Sequence, residues 1–141
     1  ARTPKLGQAA SHGFIPTSML AHPSWAGCKP RVGIDLDACT PIMEGLRFHG
    51  GYDARQVPTG VAPLSISEDD LDLGLFGDGA NVSHVIVVNR LTDRARAVRL
   101  KLAAGADAVD AVSGDTLEAV EGLASLEIEA GGFRLLSVRG R

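Results

Sequence analysis

The residues Val85 to Val88, inside "SHVIVVN", form an uninterrupted apolar run with a β-branched side chain at every position. Branching at Cβ suits a pleated strand. A strand with no polar side must be covered on both faces. This run therefore demands a sheet with a layer above it and a layer below it.

The neighbouring stretches supply more strands. In "VAPLSIS", Val61, Leu64 and Ile66 make a short apolar run. "DLDLGLFGDG" sets Leu71, Leu73 and Leu75 against Asp70, Asp72 and Gly74, which is period two, and it closes on a Gly77-Asp78-Gly79 turn signal. "AVRLKLA" puts Val98, Leu100 and Leu102 on one face and Arg99 and Lys101 on the other. Alanine and leucine are good helix formers, but this alternation fits a strand better than a 3.6-residue period. "ADAVDAVSGDTLEAVEG" reads as two short strands around Ser113-Gly114-Asp115, and "LASLEIEAGGFRLLSV" as two more around Gly131-Gly132. Short strands about ten residues apart, separated by turn signals, predict a mainly β fold: an antiparallel, Greek-key-like β-sandwich over 61–141.

Residues 1–60 have a different character. Six of the seven prolines fall there, namely Pro4, Pro16, Pro23, Pro30, Pro41 and Pro58. Each removes a backbone donor and fixes φ, which forbids long helices and central strands. The expectation is an irregular, extended, proline-rich segment, with a turn of helix at "PIMEGL". A structureless segment of that length needs something to lie against. The chain starts at Ala1 without a methionine, so a piece of a longer polypeptide is expected. Cys28 and Cys39 enclose ten residues. They read equally as a disulfide closing a short loop or as two buried thiols.

Composition narrows the function classes. With 141 residues and 45% apolar content, the chain can bury roughly two thirds of its unfolded surface. A net charge of -3, with basic residues scattered rather than clustered with aromatics, argues against nucleic acid as a partner. No apolar run approaches the ~20 residues a membrane helix needs. The N-terminal "ARTPKLGQAASHG" lacks the apolar segment of a signal peptide. No nucleophile elbow, phosphate loop or dinucleotide fingerprint is present. The four histidines, His12, His22, His49 and His84, lack metal-ligand spacing. No cofactor or metal is expected.

The succession of "DLGLF", "VIVVNR", "AVRLKL", "VDAVSGDTL" and "LEIEAGGFRLLSV" resembles the C-terminal β-sandwich domains that follow the catalytic barrel in glycoside hydrolases of the amylase and galactosidase type. The resemblance covers about 70–138 and implies a non-catalytic accessory domain. Such a domain packs on a catalytic domain or another part of a larger polypeptide, and in some members it binds carbohydrate or builds the oligomer. The barrel's strand-helix alternation is not found in 1–60, so no catalytic residue is carried over. The alternatives are an independent protein-interaction or assembly module, and a small hydrolase.

Candidate site residues follow from side-chain chemistry. Flat rings suit the apolar face of a sugar, which singles out Trp25 and Tyr52, with His22 and His49 beside them in sequence. Asp35 and Asp37 in "GIDLDAC" would share a strand face about 6.6 Å apart, near the lower end of the acid-base separation in inverting glycosidases. Such pairs normally come from different elements, so a solvated strand face is the more economical reading. Glu44, His49, Tyr52 and Asp53 mix an acid, an imidazole and a phenol around Gly50-Gly51. His84 reads as a half-buried histidine at the edge of the core. Asn89 reads as a turn-closing amide at the end of its strand. Asn81-Val82-Ser83 is a formal glycosylation sequon.

Overall fold

The computed structural model describes residues 39–139. They form nine strands in two antiparallel sheets, the expected mainly β sandwich. The first sheet has five strands in the order β1-β3-β4-β9-β6, and the second has four in the order β2-β5-β8-β7. The ranges in chain order are β1 Arg47–Asp53, β2 Leu64–Ser65, β3 Leu71–Asp78, β4 Asn81–Asn89 and β5 Arg96–Leu102. They continue with β6 Asp107–Asp110, β7 Ala119–Val120, β8 Leu123–Ile128 and β9 Phe133–Arg139.

Strand β4 lies at the centre of the five-stranded sheet, and Val85, Ile86, Val87 and Val88 are all fully buried. Alternation sends Val85 and Val87 inward toward the second sheet. There they join Leu71, Leu73, Leu75 and Leu136 against Val98, Leu100, Leu126 and Ile128. Ile86 and Val88 point the other way. They share an outer cluster with Phe76, Phe133 and Leu135, capped by Cys39 and Met43. Residues 39–43 make the helical turn that provides this cap. Its apolar side chains continue through Ile42 and Leu46, which pack against the same cluster. The two layers demanded by the valine run are thus a second sheet on one side and a helical turn on the other.

Strand β1 begins at Arg47, on the N-terminal side of Val61, in a stretch whose glycines and nearby prolines hide its strand character. It is held by pairing to β3, with a bulge between Phe48 and Gly50. Gly50 has φ 149°, and the Tyr52 ring lies where a Cβ would be, with its Oη 2.7 Å from that position. On β3, a Cβ at Gly77 would sit 1.7 Å from the Asn81 carbonyl oxygen. Only glycine allows the β3–β4 hairpin to close this tightly.

The two turns read as hairpins play a different part. Gly114 does take φ 80°, and its N–H donates to the Asp110 carbonyl. The flanking strands separate nevertheless: β6 pairs with β9 and β7 with β8, and only Val109 and Thr116 bridge directly. Likewise Gly131-Gly132 carries the chain from β8 in one sheet to β9 in the other. Ala124, Leu126 and Ile128 face inward as their alternation predicts. A turn signal marks a reversal of the chain, whereas the partner of each strand is chosen by which apolar face can be buried.

Candidate functional site

Three places among the described residues concentrate polar chemistry. The first is Asn89, which is wholly buried. It faces Leu71 across the β3–β4 ladder and so projects inward. Its Nδ2 donates to the Arg94 carbonyl at 3.0 Å and the Glu129 carbonyl at 3.1 Å, with a weaker approach to Ile128 at 3.5 Å. Its Oδ1 accepts from the Leu91 N–H at 3.0 Å. The turn-closing role read from sequence is present, and with it a tether from one sheet to the end of β8 in the other.

The second is a charged row on the outer face. Asp53 and Asp72 are direct cross-strand partners, a placement that repels when both are ionised. Arg90, just past the end of β4, resolves it. Its NH2 group donates to Asp53 Oδ2 at 2.8 Å, and its Nε lies 3.7 Å from Asp72 Oδ1. Asp53 Oδ1 also accepts from the Arg55 N–H at 3.0 Å. That backbone bond, followed by the Arg90 charge and its hydrogen bond, outweighs burial and holds the Asp53 carboxyl below the usual carboxylate range. Arg55 in turn reaches Asp69 Oδ1 at 2.5 Å, and Arg96 donates to the Asp69 carbonyl. These charges are directed at one another.

The third is a groove of about 470 Å³ between β2, the end of β5 and the loop that joins β1 to β2. Leu64, Ile66 and Leu102 contribute apolar wall, and Arg55 and Lys101 are its charged members. Nothing in the sequence marked it, because its lining is ordinary loop and edge-strand residues brought together by the fold. A smaller cleft of about 40 Å³ lies beside Cys39, Phe133 and Leu135.

The sequence candidates fall out as follows. Trp25, His22, Asp35, Asp37 and Cys28 lie outside the described residues. Tyr52 is partly buried against the inner core, with its ring folded back over Gly50. His49 is the residue skipped by the β1–β3 register, and its Nε2 is buried without a hydrogen-bond partner among the described residues. Glu44 is exposed at the end of the helical turn. His84 is half-buried at the start of the central strand, 2.9 Å from the Ser83 hydroxyl, and burial lowers its pKa. Asn81 is exposed at the β3–β4 hairpin. No group of three or more His, Cys, Asp or Glu side chains is placed to hold a metal ion among the described residues. No helix among them is long and apolar enough to cross a membrane.

No family model and no curated protein sequence matches this chain. Among solved structures it is similar to an alpha-amylase from Malbranchea cinnamomea, at 16% identity and a TM-score of 0.41. The likeness takes in 76% of this chain and 22% of that one, so the chain spans under a quarter of the length of that protein. A likeness at that score leaves the functional reading to the residues themselves.

Proposed function

We propose that the chain is a non-catalytic accessory β-sandwich of a glycoside-hydrolase-like enzyme, supporting a catalytic domain or another part of a larger polypeptide. The observation that carries this reading is where the resembling segments fall. "DLGLF" lies in β3, "VIVVNR" closes β4, "AVRLKL" is β5, "VDAVSGDTL" runs from β6 through its turn, and "LEIEAGGFRLLSV" spans β8 and β9. They are therefore consecutive parts of one sandwich. The polar groups around these strands support the same role: Asn89 ties one sheet to the other, and the Asp53–Arg90–Asp72 row links neighbouring strands within the five-stranded sheet.

Carbohydrate contact through Trp25, Tyr52 and His49 belongs to this proposal as a second property. Affinity electrophoresis of the chain through gels containing soluble starch tests it. Retardation that is lost in Trp25→Ala and Tyr52→Ala is expected, and unchanged mobility in starch would remove the carbohydrate part. A reducing-sugar assay on the same material tests the non-catalytic part. Sugar release that disappears in Asp35→Asn and Asp37→Asn would replace the accessory reading with a small hydrolase.

A further inference from the structure

The chain has two asparagines, Asn81 and Asn89, and the fold treats them differently. The side chain of Asn89 is bonded through both its nitrogen and its oxygen. Asn81 is exposed, and its side-chain amide makes no hydrogen bond among the described residues. Asparagine suits turns because it tolerates a left-handed φ or bonds its own backbone. Asn81 does neither. Gly79, with φ 68°, supplies the positive φ of the two-residue Gly79-Ala80 turn, and Asn81 keeps an ordinary negative one. Its position opens a strand, where asparagine is disfavoured. Val82 packs against the inner core, so alternation turns Asn81 away from it, at a tip where Asp78, Gly79 and Ala80 are exposed as well. Two residues on stands the hydroxyl of Ser83. The β3–β4 register passes from Gly77 opposite Val82 to Phe76 opposite His84, which leaves Ser83 without a cross-strand partner. The ladder is thus interrupted beside an asparagine that does no structural work.

We propose that Asn81 is a modification site, the acceptor of an N-linked oligosaccharide within Asn81-Val82-Ser83. The chemistry asks for an asparagine amide that reaches solvent, a hydroxyl two residues later and no proline between them. Asn81, Ser83 and Val82 meet these conditions. The donor is an oligosaccharide linked through pyrophosphate to a lipid and delivered by a membrane transferase. Asn81 Nδ2 bonds to the anomeric carbon of the first sugar. The bond from that carbon to the pyrophosphate oxygen breaks, and the lipid pyrophosphate leaves with the electron pair. The amide proton passes to a base of the transferase. The hairpin accommodates the product. Its close approach involves the Asn81 backbone, whose carbonyl oxygen lies 1.7 Å from the Cβ position at Gly77, and leaves the side chain clear. A bulky, hydrated glycan at this tip keeps that end of the sandwich in solvent.

The test is translation of the full chain behind a cleavable secretory signal in the presence of microsomal membranes, followed by endoglycosidase treatment of the protease-protected product. One oligosaccharide on the wild-type chain is expected, seen as a single upward shift in electrophoretic mass that the endoglycosidase removes. Asn81→Gln and Ser83→Ala should each abolish the shift. Ser83→Thr should keep it, because either hydroxyl completes the tripeptide. Release of the glycan by peptide N-glycosidase in heavy-oxygen water should leave its label at position 81. The proposal is overturned by a protease-protected wild-type chain that shows no shift. It is equally overturned if the shift survives Asn81→Gln, or if the heavy-oxygen label falls at another position.

Discussion

The two faces of the five-stranded sheet are both buried, but they are built differently. The inner face is aliphatic, with leucine and valine from β3, β4 and β9 meeting their like from β5 and β8. It is closed by a sheet whose own hydrogen bonds hold it in place. The outer face gathers Phe76, Phe133, Met43 and Cys39, with the Phe48 ring tilted at 51° against Phe76, 5.5 Å between ring centroids. Among the described residues it is closed by the helical turn at 39–43 and, at its far end, by the Arg90 ion pairs. The same strands thus carry one face that is integral to the fold and one that depends on a short strap. Cooperativity should differ accordingly, because a strap can lift without unfolding the sandwich.

The largest effect expected is on the inner face. Leu73→Ala should cost about 4 kcal/mol in a denaturant titration, since neither sheet can collapse into the cavity. Asn89→Ala comes next at about 3 kcal/mol, because it strips partners from buried carbonyls at the junction of the sheets. Met43→Ala should cost only about 1–2 kcal/mol, limited by the free energy of lifting the turn. Hydrogen exchange should show faster opening confined to β3, β4 and β9 amides beneath it. A global loss as large as that of Leu73→Ala would mean that the two faces unfold as one unit.

Smaller effects probe the charged end of the outer face. Arg90→Met leaves Asp53 and Asp72 facing each other and should cost about 1 kcal/mol at neutral pH. The pKa of Asp53 is lowered in the folded protein, so its contribution is present above the unfolded carboxylate range, near pH 4, and is lost as pH falls through the folded value. The gap between the wild type and Arg90→Met should therefore close on acidification. His84 gives the smallest effect. Burial lowers its pKa, so the unfolded chain binds the extra proton and stability declines as pH falls below about 6.5. His84→Gln should flatten that slope in thermal melts between neutral and mildly acid pH.

Most strands were legible because a half-buried strand writes period two into the chain. Val98, Leu100 and Leu102, and Leu126 and Ile128, are buried as their alternation requires. The strand partners were not legible. The turns at Gly114 and Gly131-Gly132 look like hairpin turns, yet each leads from one sheet to the other. Asp72 looked solvent-facing in "DLDLGL" but is 7% exposed, because its neutralising Arg90 is distant in sequence. Strand β1 was hidden by Gly50 and Gly51, whose fit depends on the Tyr52 ring and the bulge. Of the candidate site, Asn89 was readable as a local turn. The groove was not, since its lining comes from loop and edge-strand residues that only the fold brings together.

The connections that switch sheets also bear on how fast the chain reaches this state. Only β3–β4 and β7–β8 are neighbours in both sequence and space. The central strand gains its second partner when Val88 meets Phe133 and Val85 meets Leu136, from far along the chain. The entropy of closing that loop is spent before any of its contacts form. The β3–β4 hairpin, pinned by the tight approach of Gly77 to Asn81, is therefore the natural early nucleus. Docking of β9 sets a slow rate typical of folds dominated by distant pairings.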